Sequence, residues 1–224
     1  MAAYANGTPA PASEPTHHHL AGFWDAARTA ACLERVRARP EWFRDVGSRA
    51  GLGPRYRVID GERIAASLPD LLEYASGPLR ETVERVTGRR VELMGSLRRA
   101  LHVQVYATAE HGFRWHFDGH AFAALLTLAN ASGGATQIIG PRHSRWLRLP
   151  FYAAYPWPRL FSILPRQEVT AAPGDLLILH GGAALHRGTR GTAPGERWLL
   201  VFNYDDAGRR LSPLRDWIAK RLNY

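Results

Sequence analysis

Beyond Val91 the apolar residues of this chain fall into short runs, and that texture limits its fold more than any other feature. Val91 to Met94, Leu101 to Tyr106, Phe122 to Leu128, Ala135 to Ile139, Leu176 to Leu179 and Trp198 to Tyr204 are apolar or alternating stretches bounded by Gly, Asn, Asp or Pro. Runs of that length and spacing predict an antiparallel β-sandwich or barrel. Ahead of them the period is helical. Phe23, Ala27, Ala30, Ala31 and Leu33 to Val36 suit one helix from Leu20 to near Pro40, and Trp42 and Phe43 open a shorter second one. Tyr56 to Ile59 suits a short strand, Ile64 to Tyr74 a helix, and Leu79 to Val86 another closed by Gly88. The class is α+β, with N-terminal helices packed on a largely antiparallel β-core. Residues 1–19, rich in Ala, Pro, Gly, Ser and Thr, read as a disordered tail whose His17, His18 and His19 lack a fixed geometry for metal. Residues 20–224 then form a single domain: 20–90 mainly helical, 91–206 the β-core, and 207–224 a C-terminal helix docking back.

Composition excludes several alternatives. Hydrophobic residues make up 46% and charged residues 22%, close to ordinary globular usage, so a disordered chain is ruled out. The net charge of +9 is almost all arginine, since Lys220 is the only lysine. Such a charge could steer the chain to nucleic acid, an anionic surface or an acidic substrate, but the arginines are scattered, which favours a compositional origin. Cys32 is the single cysteine, so any metal must be held by His and carboxylate. No run of 18 apolar residues and no signal-peptide pattern appears, and the expectation is a cytoplasmic protein without membrane contact.

The chemistry concentrates at Trp115-His-Phe-Asp-Gly119. His116 and Asp118 are two apart, so on an extended strand both point to one side and can grip one ion. A third ligand is available at His186, beyond the strand Leu176 to Leu179. Two imidazoles and a carboxylate on one face of an octahedron leave open positions, the arrangement of non-haem Fe(II) oxygenases. Taken alone, the pair is weak evidence, because such pairs occur by chance on any polar loop and a lone His is more often a hydrogen-bonded structural residue.

The surroundings resemble the iron(II)- and 2-oxoglutarate-dependent dioxygenase superfamily over about Leu101 to Asp206. Tyr106-Ala-Thr-Ala-Glu-His-Gly-Phe-Arg-Trp-His-Phe-Asp118 looks like the first half of that core, and Leu125 to Asn130 followed by Gly133-Gly-Ala-Thr136 like its next strand and turn. Ala172-Pro-Gly-Asp-Leu-Leu-Ile-Leu179, His186 and Arg197-Trp-Leu-Leu-Val-Phe-Asn-Tyr204 resemble the second half in order. The Trp-His-Phe-Asp run, Phe122 and Leu185-His-Arg187 are most similar to small bacterial members that hydroxylate or halogenate free amino acids and natural-product precursors. The resemblance implies a double-stranded β-helix (jelly-roll) core, with Fe(II) and 2-oxoglutarate as cofactors and His116, Asp118 and His186 as catalytic metal ligands. Arg197 would grip the distal carboxylate of 2-oxoglutarate, a task suited to a planar guanidinium, with Arg187 and Arg190 as local competitors. Tyr106 either adds a hydroxyl to that carboxylate or is an ordinary strand aromatic. The hydroxyl often found two or four residues after the arginine is missing, because Leu199 and Val201 stand there. Asp118 is present where halogenating members carry a small residue, which favours hydroxylation with release of succinate and CO2.

The partners implied are O2 and a small amino-acid-like or natural-product substrate. Candidate substrate contacts are Asn203, on the same strand face as Arg197, together with Trp115, His120, Arg142 and Trp146; the last two belong to an aromatic- and Arg-rich insertion over residues 140–168 that also carries Tyr152, Tyr155 and Trp157. His102 and His143 read as structural, and Asp175 as the organiser of the Pro-Gly-Asp turn. Three rivals stay open. A nucleic-acid or protein-side-chain oxygenase of the same superfamily is disfavoured because Asn203 stands where nucleic-acid demethylases carry a second arginine. A non-catalytic β-barrel binding module would keep its binding when His116 or Asp118 is replaced and lose affinity steeply with salt, and a cupin-like metalloenzyme without 2-oxoglutarate would not need Arg197.

Overall fold

The structure, a computed structural model, describes residues 15–47, 55–108, 111–147 and 158–209. Its centre is a ten-residue strand. Among the described residues the strands are β1 (His17–Leu20), β2 (Arg44–Val46), β3 (Tyr56–Asp60), β4 (Val91–Leu93), β5 (Leu101–Tyr106), β6 (Phe122–Asn130), β7 (Thr136–Ile139), β8 (Arg166–Val169), β9 (Leu176–Leu179), β10 (His186–Gly188) and β11 (Arg197–Asp206). They form an eight-stranded sheet, ordered β1-β9-β6-β11-β5-β3-β2 with β4 beside the end of β11, and a three-stranded sheet, β10-β7-β8. All pairings are antiparallel.

Strand alternation divides the larger sheet into two faces. On one face Trp198, Leu200, Phe202 and Tyr204 of β11 join Leu101, Val103 and Val105 of β5 and Phe122, Ala124 and Leu126 of β6 in the main core. Four helices contribute to this face, α1 (Ala26–Arg37), α2 (Gly61–Ser67), α3 (Pro69–Tyr74) and α4 (Arg80–Thr87), while α5 (Leu97–Ala100) meets the opposite face, where the Arg99 carbonyl accepts from Asn203. The four contribute Cys32, Val36, Ile64, Leu71 and Val83 to the same core. The other face of the sheet carries Arg197, Leu199, Val201 and Asn203 of β11 and lines a cavity.

Several sequence expectations need correction. Residues 15–20 do not belong to a loose tail: β1 pairs with β9 from His17↔Leu179 to Leu20↔Leu176. Backbone pairing needs no apolar side chain, which is why a His triplet gave no strand signal. The first helix starts at Ala26 and not at Leu20, because Asp25 caps it, its carboxylate accepting from Arg28 N–H at 2.7 Å. Trp42 and Phe43 do not begin a helix. A 3₁₀ turn over Pro40–Trp42 leads into β2, and Phe43 packs edge-on against Trp198. The expected helix from Ile64 to Tyr74 breaks at Leu68, since Pro69 has no N–H to continue it. Gly88 closes α4 at φ 68°, a left-handed position that suits glycine. The insertion between β7 and β8 contains α6 (Pro141–Leu147) and a 3₁₀ turn over Pro158–Ile163. Tyr152, Tyr155, Trp157 and the expected C-terminal helix lie outside the described residues. No helix among the described residues is long and apolar enough to cross a membrane.

One polar bond ties the helical layer to β11. A π-turn over Ala75–Leu79, with Pro78 inside it, interrupts the helix ladder, and the buried Tyr204 hydroxyl donates to the Ala75 carbonyl at 2.7 Å. Tyr204→Phe would remove that bond, and we expect a loss of about 0.5–1.5 kcal/mol in urea unfolding with the fold retained.

Candidate functional site

The site is assembled by a two-residue antiparallel bridge. His116 N–H donates to His186 C=O at 2.9 Å and His186 N–H returns a bond to His116 C=O at 3.1 Å. This reciprocal pair sets the two imidazoles side by side, with ring centroids 4.2 Å apart. Two residues on, Asp118 N–H donates to Gly181 C=O, which swings the carboxylate to the same side. Gly181 is required there, since a Cβ at that position would stand 1.8 Å from Asp118 Oδ2. His116, Asp118 and His186 offer ligand atoms that all lie within 4.8 Å of one another.

The protonation pattern is that of a cation site. His116 Nδ1 lies 2.8 Å from Arg114 C=O and His186 Nδ1 lies 2.9 Å from Ala184 C=O. A carbonyl only accepts, so each Nδ1 carries a proton and each Nε2 is the atom turned inward. Those Nε2 atoms face the carboxylate, at 3.3 Å from Asp118 Oδ1 and 3.5 Å from Oδ2. Three groups able to ligate thus converge on one point, where a bound cation would satisfy them together. Burial pushes the Asp118 carboxyl up, but His120 and His186 outweigh it and hold the group well below the usual carboxylate range. Burial, reinforced by His116, lowers His186 to about 4, which keeps it neutral and ready to ligate. His120 Nε2 lies 3.3 Å from Asp118 Oδ2.

A cationic pocket adjoins this centre. Arg197, 1% exposed, donates from Nη1 to Ala135 C=O at 2.9 Å and from Nη2 to Thr136 Oγ1 at 3.1 Å, while Nε has no hydrogen-bond partner among the described residues. Among the described residues no carboxylate forms an ion pair with it. Tyr106 is its cross-strand neighbour on β5, and the guanidinium sits 5.9 Å from the Tyr106 ring centre. Burial raises the Tyr106 hydroxyl to about 12, against the pull of Arg197, so it remains a donor. Two glycines hollow out the pocket. A Cβ at Gly134 would stand 3.2 Å from Arg197 Cδ, and one at Gly188 would stand 2.7 Å from the Tyr106 hydroxyl.

Arg197, Tyr106, His116, Asp118, His120, His186 and Asn203 line one cavity of about 130 Å³. Trp115 does not. Its ring is buried with Ile139, Phe161 and Leu185, because neighbours on an extended segment point to opposite sides and His116 takes the inward one. Arg187 also faces outward, donating to Gln137 at 2.8 Å and stacking 4.8 Å above Trp115. Arg142 and Trp146 lie on α6, and Trp146 is 77% exposed. Asp175 binds Gly22 N–H, Ala172 N–H and His19 around its turn. Sequence reasoning missed Arg99, His102, Thr136, Gly181 and Gly188. The period-two face of β5, running His102, Gln104, Tyr106, was the available signal for His102.

No protein-family model and no curated protein matches the chain. Solved structures do match its backbone, among them several non-haem, 2-oxoglutarate-dependent enzymes. The epimerase SnoN from nogalamycin biosynthesis, also solved with Fe3+, α-ketoglutarate and nogalamycin RO, is 18% identical, with TM-score 0.63 over 87% of this chain and 79% of its own. The carbocyclase SnoK from the same biosynthesis is 16% identical, with TM-score 0.69 over 94% and 87%. HygX from Streptomyces hygroscopicus, solved with nickel and 2-oxoglutarate, is 16% identical, with TM-score 0.63 over 87% and 84%. The chain therefore shares the fold of these enzymes.

Gly181→Ala should displace Asp118 and weaken divalent-metal binding at least about tenfold in calorimetric titration. Acid should destabilise the metal-free protein. Burial lowers His102, His180 and His186 each to about 4, whereas the unfolded chain takes up these protons near 6.5. Stability is thus lost as pH falls from about 6.5 to 4, and thermal midpoints that stay level between pH 7 and 5 would contradict the assignment.

Proposed function

We propose that this protein is an iron(II)- and 2-oxoglutarate-dependent oxygenase that hydroxylates an unactivated C–H bond of a small natural-product or amino-acid-like molecule. The supporting observation is the coexistence, in one cavity, of ligating groups converging at His116, Asp118 and His186 with a buried guanidinium that has no counter-charge among the described residues. Burying an unpaired charge costs several kcal/mol, so the Arg197 pocket is built for an anion.

His116, Asp118 and His186 would hold the iron, and Arg197 would bind the distal carboxylate of 2-oxoglutarate in a charge-assisted grip with the Tyr106 hydroxyl beside it. Bound iron with 2-oxoglutarate and O2 supplies the oxidising power, releasing succinate and CO2. The chain's own part is to orient and to shield. The Nδ1 bonds to Arg114 and Ala184 fix the imidazoles, Gly181 leaves room for the carboxylate, and Leu125, Leu199 and Val201 keep the floor dry. Asp118 occupies the position that a halide would need, which favours hydroxylation. SnoN and SnoK, described as an epimerase and a carbocyclase, favour a second reading in which the substrate loses hydrogen and then inverts or closes a ring.

Anaerobic addition of Fe(II) and 2-oxoglutarate should give the visible charge-transfer band of the chelate. His116→Ala should abolish it, and Arg197→Ala should raise the 2-oxoglutarate concentration required by at least about tenfold. Absence of the band in the unmutated protein would refute the proposal.

A further inference from the structure

The cavity has a second polar end that the cosubstrate cannot fill. Asn203 lies six residues beyond Arg197 on β11, about 20 Å along an extended strand. A five-carbon diacid spans roughly 7 Å, at about 1.5 Å per bond, so one held by Arg197 does not reach the short Asn203 side chain. Yet Asn203 is only 5% exposed and is half used. Its Nδ2 donates to Arg99 C=O at 2.6 Å, while Oδ1 is buried with no hydrogen-bond partner among the described residues. Turning the amide over would set oxygen against the Arg99 carbonyl, so the free atom is an acceptor in need of a donor.

The surroundings repeat that need. His102, beside Val201 across the strand pair, has a buried Nδ1 without a hydrogen-bond partner among the described residues. The Arg99 guanidinium lines the same cavity, its Nη2 close against Gly119. Leu125 and Val201 make the adjoining surface apolar.

We infer that this end of the cavity, formed by Asn203, His102 and Arg99, recognises a hydroxyl group of the substrate carried on an apolar skeleton that lies over Leu125 and Val201. A hydroxyl donates to Asn203 Oδ1 and accepts from Arg99. A carboxylate cannot donate, an ammonium cannot accept and brings its charge beside Arg99, and a hydrocarbon leaves buried polar atoms without partners. The inference rests on the oxygenase reading, because it assigns the Arg197 end to 2-oxoglutarate.

The test uses the full chain loaded with Zn(II) and 2-oxoglutarate, and three matched probes: cyclohexanol, cyclohexylamine and cyclohexanecarboxylate, titrated by saturation-transfer NMR. Cyclohexanol should bind at least about tenfold tighter than the other two. Asn203→Leu and, separately, His102→Leu should each weaken cyclohexanol about tenfold while leaving 2-oxoglutarate affinity within about twofold by calorimetry. Equal or tighter binding of the carboxylate, indifference of cyclohexanol to both substitutions, or a parallel loss of 2-oxoglutarate would overturn the inference. The probe order in the unmutated protein decides the matter if a variant folds poorly. Unmutated protein that binds no 2-oxoglutarate overturns the oxygenase reading and this inference with it, whereas intact 2-oxoglutarate binding with the wrong probe order overturns the inference alone.

Discussion

The period-two alternation of β11 is the constraint on which the molecule depends. Trp198, Leu200, Phe202 and Tyr204 point into the helix-packed core, and Arg197, Leu199, Val201 and Asn203 into the cavity. A slip of one residue would exchange these sets and drive Arg197 into apolar packing. Register is held on both sides, by β5 from Arg197↔Tyr106 to Phe202↔Leu101 and by β6 from Arg197↔Asn130 to Tyr204↔Phe122. A register irregularity at Trp198/Leu199 is accommodated on β6 before the pairing continues to Tyr204.

Against this fixed floor the reactive groups are supplied by short, irregular segments. The His116–His186 bridge is two residues wide, and the Asp118 carboxylate depends on one backbone bond and one glycine. The larger sheet supplies the cationic and polar ends of the cavity, while the groups that converge on a metal come from the connection carrying His116 and Asp118 and from the start of β10 at His186. This division suits a scaffold whose chemistry lies in positioned side chains.

Much of this was legible in the sequence because strand period and ligand spacing are local. The strands from Leu101 to Tyr106 and Leu176 to Leu179 coincide with β5 and β9, and the two-residue spacing of His116 and Asp118 already put them on one side. What stayed hidden depends on distant partners. β1 and β8 are polar strands, visible only through their pairing with β9 and β7. Trp115 looked available because nothing local says which of two neighbours takes the inward side. The value of Gly181 and Gly188 lies in atoms they lack, measured against Asp118 and Tyr106 far away in sequence. The basic charge is also clearer. Arg35, Arg44 and Arg89 sit in ion pairs with Asp70, Asp60 and Asp206, and Arg28 lies over Trp24 and Tyr74, so these four are engaged within the protein itself.

The histidine strand β1 also shields its neighbour. Leu176 to Leu179 are fully apolar and buried, and without β1 they would form a bare, flat, greasy margin of the larger sheet. Such a margin is a template for joining a second copy strand to strand. A chain that lost its first twenty residues would keep every group named in the site and would be expected to fail as a colloid, by edge-to-edge association, before it failed as a catalyst.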